Sequence, residues 1–126
     1  MINIKKKEIQ SFKIVYDDSI VYNKKSITRD SINNLYNIKD DCDEIIIIKN
    51  NLITDTSIAN IAIFLDNCWI TPKKPLLVGT TMSRLIDNKK LKMVDISVNM
   101  LRKATKIATL NAMVGFNKID NFIIKG

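Results

Sequence analysis

Three groups of residues carry chemistry by type and spacing. Gly79-Thr80-Thr81 opens a stretch with helical spacing. Glycine permits a sharp turn into a helix, and the helix start presents N–H groups and partial positive charge. The two threonines add O–H donors, so the triplet suits a phosphate. Asp55 lies in Thr54-Asp55-Thr56-Ser57, just after a hairpin return. A carboxylate there serves either a ligand or the turn itself. Lys24 and Lys25 stand before a second helical pattern, as a plain surface pair or as an amine available for covalent chemistry.

The elements that must position these residues follow from periodicity. Ser11 to Tyr16 (SFKIVY) alternates apolar and polar and predicts a strand, followed by a turn at Asp17-Asp18-Ser19. Ile20 to Tyr22 predicts a short strand or an extended lead-in. Thr28 to Tyr36 places Ile32, Leu35 and Tyr36 at helical spacing with Thr28 as a candidate N-cap. Glu44 to Lys49 carries four consecutive isoleucines, the pattern of a strand buried on both faces. Asn50-Asn51 predicts a hairpin turn, because Asn tolerates positive φ.

Leu52 to Thr54 returns, and Ile58 to Leu65 and Cys68 to Thr71 are strands around a turn at Asp66-Asn67. Pro72 to Pro75 breaks the sheet. Thr80 to Asp87 is a helix, and Lys90 to Asp95 a short strand with Leu91 and Met93 on one side. Ser97 to Ala104 is a helix capped by Ser97. Lys106 to Leu110 is a strand, Asn111 to Gly115 a turn, and Phe116 to Ile124 a final strand region. The fold class is α+β: a mixed or antiparallel sheet with two or three helices in a single domain over residues 1–126.

Composition narrows the function classes. With 126 residues, 46% hydrophobic and 26% charged, the chain is of ordinary globular type. No run of about 18 apolar residues is present, so a membrane-spanning helix is not expected. The two cysteines, Cys42 and Cys68, have no partner spacing and histidine is absent, so no metal site is expected. The same usage suggests a reducing, cytoplasmic setting. The net charge of +7 comes from scattered lysines without interleaved aromatic residues. That pattern predicts a solvated basic surface rather than a nucleic-acid face, and it suits a small anionic substrate.

The order of parts from Asp43 to Leu85 resembles the phosphate-and-pyridine cradle of the class IV aminotransferases, the pyridoxal-phosphate family that includes aminodeoxychorismate lyase. VYNKKSITRDSINNLY is similar to the family's lysine segment, which implies that Lys25 carries the cofactor and that Arg29, four residues on, opens the helix. An arginine at this distance is closer to the lyase pattern than to the transaminases. LITDTSIANIAIF resembles the segment that faces the pyridine ring. The resemblance implies that Asp55 sits against the ring nitrogen, with Ser57, Ala59 and Asn60 in matching places. The family usually has Glu where this chain has Asp55, one methylene shorter.

PLLVGTTMSRL looks like the phosphate loop, which implies that Gly79, Thr80 and Thr81 bind the phosphate. The family often places an arginine where this chain has Met82, and Arg84 follows later. KATKIATLNAMVGFNKI resembles the lyase segment in which Asn111 and Ala112 end a strand near the phosphate.

The resemblance covers about Ile9 to Ile124 and implies the C-terminal, cofactor-binding part of such an enzyme. The usual N-terminal α/β domain has no counterpart before Lys25, so weak catalysis or none is an expectation. Two function classes follow. One is a pyridoxal-phosphate enzyme, with lyase chemistry on aminodeoxychorismate favoured over amino-acid transamination. Lys25 would then act as base and acid while pyruvate is eliminated to leave 4-aminobenzoate. The other is a non-catalytic domain that works by association. An isoleucine-rich sheet left partly uncovered implies a homodimer.

Overall fold

The computed structural model describes residues 9–20, 26–57, 59–112 and 115–126, with the side chains of the first helix described from residue 32 onward. The elements run β1 (Ser11–Tyr16), α1 (Ser26–Asn37), β2 (Glu44–Lys49), β3 (Leu52–Ile53), β4 (Asn60–Leu65), β5 (Cys68–Pro72) and α2 (Thr80–Asp87). They continue with β6 (Lys92–Val94), α3 (Val98–Lys103), β7 (Lys106–Asn111), β8 (Gly115–Ile119) and β9 (Ile123–Lys125).

The strands form two sheets rather than one. The first has the order β3-β2-β1-β9, with β1 parallel to both β2 and β9. The second has the order β6-β5-β4-β7-β8 and is antiparallel except at the β5–β6 pair. The expected final strand region is therefore divided. β8 extends the second sheet, and the chain bends at Asp120 and Asn121 so that β9 joins the first.

The period-two alternation of side chains distributes the apolar residues over three cores. Ile46 and Ile48 of β2, with Phe12 and Ile14 of β1, meet Ile61, Ile63 and Ile107 of the second sheet in the central layer. Ile45, Ile47 and Val15 point the other way, beneath Ile32, Leu35 and Tyr36 of α1. Ala62, Ala108 and Leu110 form the outer face of the second sheet beneath Met82, Leu85 and Ile86 of α2.

All four isoleucines of β2 are fully buried. The sheet expected to be partly uncovered is covered within the chain, by α1 on one side and the second sheet on the other.

Local chemistry explains the turns. Asn50 and Asn51 have φ of 53° and 66°, and Asp66 and Asn67 have φ of 53° and 61°, the paired left-handed conformation of tight hairpins. Helix α1 begins at Ser26, so Thr28 lies inside it and is not its cap. Ser97 caps α3, its hydroxyl accepting from the Met100 N–H at 3.3 Å. Of the extended stretch expected at Ile20 to Tyr22, Val21 and Tyr22 lie outside the described residues, and Ile20 is buried. Among the described residues no helix is long and apolar enough to cross a membrane.

Candidate functional site

A four-residue turn brings the candidate acid and its partner together. The Thr56 N–H and hydroxyl both donate to the Ala59 carbonyl at 3.0 Å. The Ala59 N–H donates back to Thr56 Oγ1 at 3.0 Å. Asp55 and Asn60 flank this turn, and Asn60 Nδ2 donates to Asp55 Oδ1 at 3.0 Å. The Asp55 backbone is itself anchored, its carbonyl accepting from the Ile47 N–H at 2.9 Å.

The Asp55 carboxylate also holds the loop that leads to α2. Its Oδ2 accepts the N–H groups of Leu76 at 2.9 Å and Leu77 at 3.2 Å. Burial pushes its pKa up to about 7, against the lowering effect of the hydrogen bonds from Asn60, Leu77 and Leu76. Desolvation of the charged form outweighs three hydrogen bonds because the side chain is nearly sealed from water. Oδ1 accepts from Asn60 alone and Oδ2 from two backbone groups, so Oδ1 is the better seat for a proton.

Asn60 continues the chain of contacts. Its Nδ2 also donates to the Leu77 carbonyl at 2.6 Å, and its Oδ1 accepts the Gly79 N–H at 2.9 Å. Gly79 is the N-cap of α2, with φ −78° and ψ 165° and no capping side chain. Its backbone is ordinary and extended, so glycine is not required for its φ. Close approach requires it: a Cβ at position 79 would meet Asn60 Oδ1 at 2.8 Å.

Helix α2 starts directly from this anchor. Without a capping side chain its first-turn N–H groups are open to an anion. Thr80 is exposed and Thr81 is buried. Among the described residues, Thr81 Oγ1 is the one buried side-chain polar atom without a hydrogen-bond partner. A buried hydroxyl left unpaired is costly and calls for an explanation. On the exposed face of α2, an open depression of about 450 Å³ is lined by Val78, Gly79, Thr80, Ser83, Arg84, Asp87 and Asn88; Thr81 is not part of its lining. The helix start without a capping side chain and the unpaired Thr81 hydroxyl in its first turn are donors of the kind a phosphate ester takes.

The remaining expected residues fall as follows. The β4–β7 register pairs Asn60 with Leu110. Asn111, which ends β7 paired with Gly115, and Ala112 after it therefore lie at the same end of the second sheet as Asn60. Ala59 contributes through its backbone to the turn. Ser57 donates its hydroxyl to Glu44 Oε1 at 2.6 Å and its N–H to the same atom at 3.3 Å. Lys25 lies outside the described residues, immediately before α1. Arg29 lies in the first turns of α1, and its side chain is outside the described set.

Two features of the site were not expected from sequence. Glu44 is buried at the head of β2 and holds Ser57, with the Ile45 N–H also donating to its Oε1 at 2.9 Å. A carboxylate heading a run of isoleucines must find donors, and that was the available signal. The second feature is the pair of backbone N–H groups at Leu76 and Leu77, for which side-chain types give no signal.

Comparisons with known proteins show the family. The sequence profile of the class IV amino-transferases matches residues 25–122, and the chain belongs to that family. It is 36% identical over 110 residues to an uncharacterized protein of Haemophilus influenzae, covering 87% of this chain and 58% of that protein. It superposes with a TM-score of 0.80 and 40% identity on a candidate 4-amino-4-deoxychorismate lyase from Haemophilus somnus, covering 88% of this chain and 57% of that one.

An aminotransferase from Brucella abortus, bound to the co-factor PLP, shares the fold at a TM-score of 0.78 and 13% identity, covering 97% of this chain and 49% of that one. The chain thus spans less than two thirds of the length of these relatives. The class IV family works with pyridoxal phosphate.

Proposed function

We propose that this chain is the cofactor-bearing part of a pyridoxal-phosphate enzyme of the aminodeoxychorismate lyase type. The observation that carries the reading is the connected set Asp55–Asn60–Gly79–Thr81. Hydrogen bonds run from a buried acid through an amide bridge to an uncapped helix start, and an unpaired buried hydroxyl follows two residues on. The likeness to the Haemophilus somnus protein supports the lyase branch of the family.

In this reading the residues divide the work. The open N–H groups at the start of α2, with the Thr80 and Thr81 hydroxyls, hold the phosphate. Asp55 would face the ring nitrogen of the bound cofactor and could hold or release a proton at Oδ1. A carboxyl whose pKa lies near 7 loses its proton to a basic nitrogen at little cost. Asn111 and Ala112 close the phosphate side. Lys25 carries the cofactor and then moves the proton from the substrate carbon to the leaving pyruvate. Pyridoxal phosphate supplies an electron sink for the carbanion formed at that carbon. The basic surface favours approach of an anionic substrate. Exposed Leu77 and Val78 next to the cradle support association of two copies.

The test is release of pyruvate and 4-aminobenzoate from aminodeoxychorismate, run beside an amino-acid transaminase assay. Pyruvate release that is abolished in Lys25→Ala supports the lyase reading. Transfer of an amino group to a keto acid without pyruvate elimination would replace it with a transaminase. An absorbance band at the edge of the visible, from a bound pyridoxal cofactor, is a prerequisite of either.

A further inference from the structure

The two halves of the site, acid and phosphate cradle, are joined by one buried side chain. Asn60 uses both N–H donors on protein groups, one on Asp55 Oδ1 and one on the Leu77 carbonyl, and its oxygen accepts the Gly79 N–H. It has no donor left for a ligand. The loop 76–79 is thereby strung between two side chains: Asp55 holds the N–H groups of Leu76 and Leu77, and Asn60 holds the Leu77 carbonyl and the Gly79 N–H. Only glycine fits at the far end, because a Cβ there would press on Asn60 Oδ1.

We propose that Asn60 is a positioning residue that sets the start of α2 against the Asp55 carboxylate, so that acid and phosphate donors keep one register. The proposal rests on the cofactor reading above. It takes Asn60 away from direct cofactor contact and makes it the part that aligns the two contacts. Displacing the Gly79 N–H would shift the first turn of α2, and with it Thr81, while leaving the Asp55 bonds to Leu76 and Leu77 available.

The test compares pyridoxal phosphate with phosphate-free pyridoxal, titrated against the purified chain and its variants. Asn60→Ala should weaken pyridoxal phosphate by on the order of tenfold or more, and pyridoxal by less than about threefold, as expected for loss of a residue that orients other ligating groups. Gly79→Ala should give a similar selective loss. Gly79→Ala placed in the Asn60→Ala background should cost nothing further, since the clash is gone. Asn60→Asp keeps an acceptor for Gly79 but loses both donors, and should fail to restore selectivity.

Hydrogen exchange provides a readout without cofactor: the Gly79 amide should exchange faster in Asn60→Ala. Losses that multiply in the double variant, or fall equally on both ligands, would overturn the proposal while leaving the cofactor reading intact. An unaltered Gly79→Ala would do the same. Failure of the unmodified chain to bind pyridoxal phosphate would instead overturn the cofactor reading, and the proposal with it.

Discussion

The amide nitrogen of Asn60 lies 3.0 Å from Oδ1 of Asp55, across a turn closed by Thr56 and Ala59. That contact places a buried acid beside the residue that holds the start of α2. Burial, working against that hydrogen bond, leaves the acid with a pKa of about 7, in a chain that contains no histidine.

A pH dependence of stability follows. Asp55 takes up its proton at about 7 in the folded chain against 3.8 for the ordinary side chain. The folded state therefore binds the proton more tightly. Between these values the unfolded state holds fewer protons, so stability falls as pH rises. The favourable contribution is complete near pH 3.8 and is lost by the time pH has risen through 7. The loss is on the order of 4 kcal/mol at 1.36 kcal/mol per pK unit. Denaturant melts from about pH 5 to 8 should show the decline. With pyridoxal phosphate in excess the decline should flatten, because a protonated ring nitrogen beside Asp55 stabilises the carboxylate. A slope unchanged by cofactor would separate Asp55 from the ring.

Thr81 predicts opposite effects on stability and binding. Thr81→Val removes a buried hydroxyl that has no partner and keeps the shape. The free chain should be unchanged or more stable, by up to about 1 kcal/mol, since an unsatisfied group is removed. Affinity for pyridoxal phosphate should fall by about tenfold, the value of roughly one hydrogen bond to a charged group. Thermal melts with and without cofactor measure both. A variant that loses stability without losing affinity would make Thr81 a structural residue.

Glu44 predicts a loss confined to stability. Glu44→Ala removes the acceptor of three buried hydrogen bonds, from the Ser57 hydroxyl and from the N–H groups of Ser57 and Ile45. Unfolding measurements should show a cost on the order of 3 kcal/mol. Glu44→Gln, which keeps an acceptor oxygen at the same reach, should recover most of it.

Much of this arrangement was legible in the sequence where the signal is local. Asn50-Asn51 and Asp66-Asn67 announce their hairpins because few other residues accept left-handed φ in pairs. The helix Thr80 to Asp87 has the bounds that its spacing predicts. The isoleucine run of β2 is buried on both faces as such runs require.

What escaped depends on distant partners. β9 was not separable from β8 because its place is fixed by pairing Ser11 with Ile123, at the other end of the chain. The coverage of β2 by α1 and the second sheet is likewise a tertiary fact. Within the site, Asp55 and the Gly-Thr-Thr stood out by type. The role of Asn60 and the backbone donors at Leu76 and Leu77 emerged only once the turn and the loop were folded together.

Assembly gives a further prediction. Leu77 and Val78 are about half exposed, at 48% and 52%, next to the cradle. Large apolar side chains grouped at a site rim are commonly covered by association. Sedimentation at micromolar concentration should show a dimer, and Leu77→Asp should shift it toward monomer. A stable monomer in the unmodified chain would contradict this.

Pyridoxal phosphate is expected to be held through Lys25. Borohydride reduction of the chain mixed with the cofactor, followed by peptide mapping, tests that directly. The predicted result is one reduced adduct on Lys25, lost in Lys25→Ala. An adduct on Lys24 or scattered over surface lysines, or no adduct in excess cofactor, would contradict it.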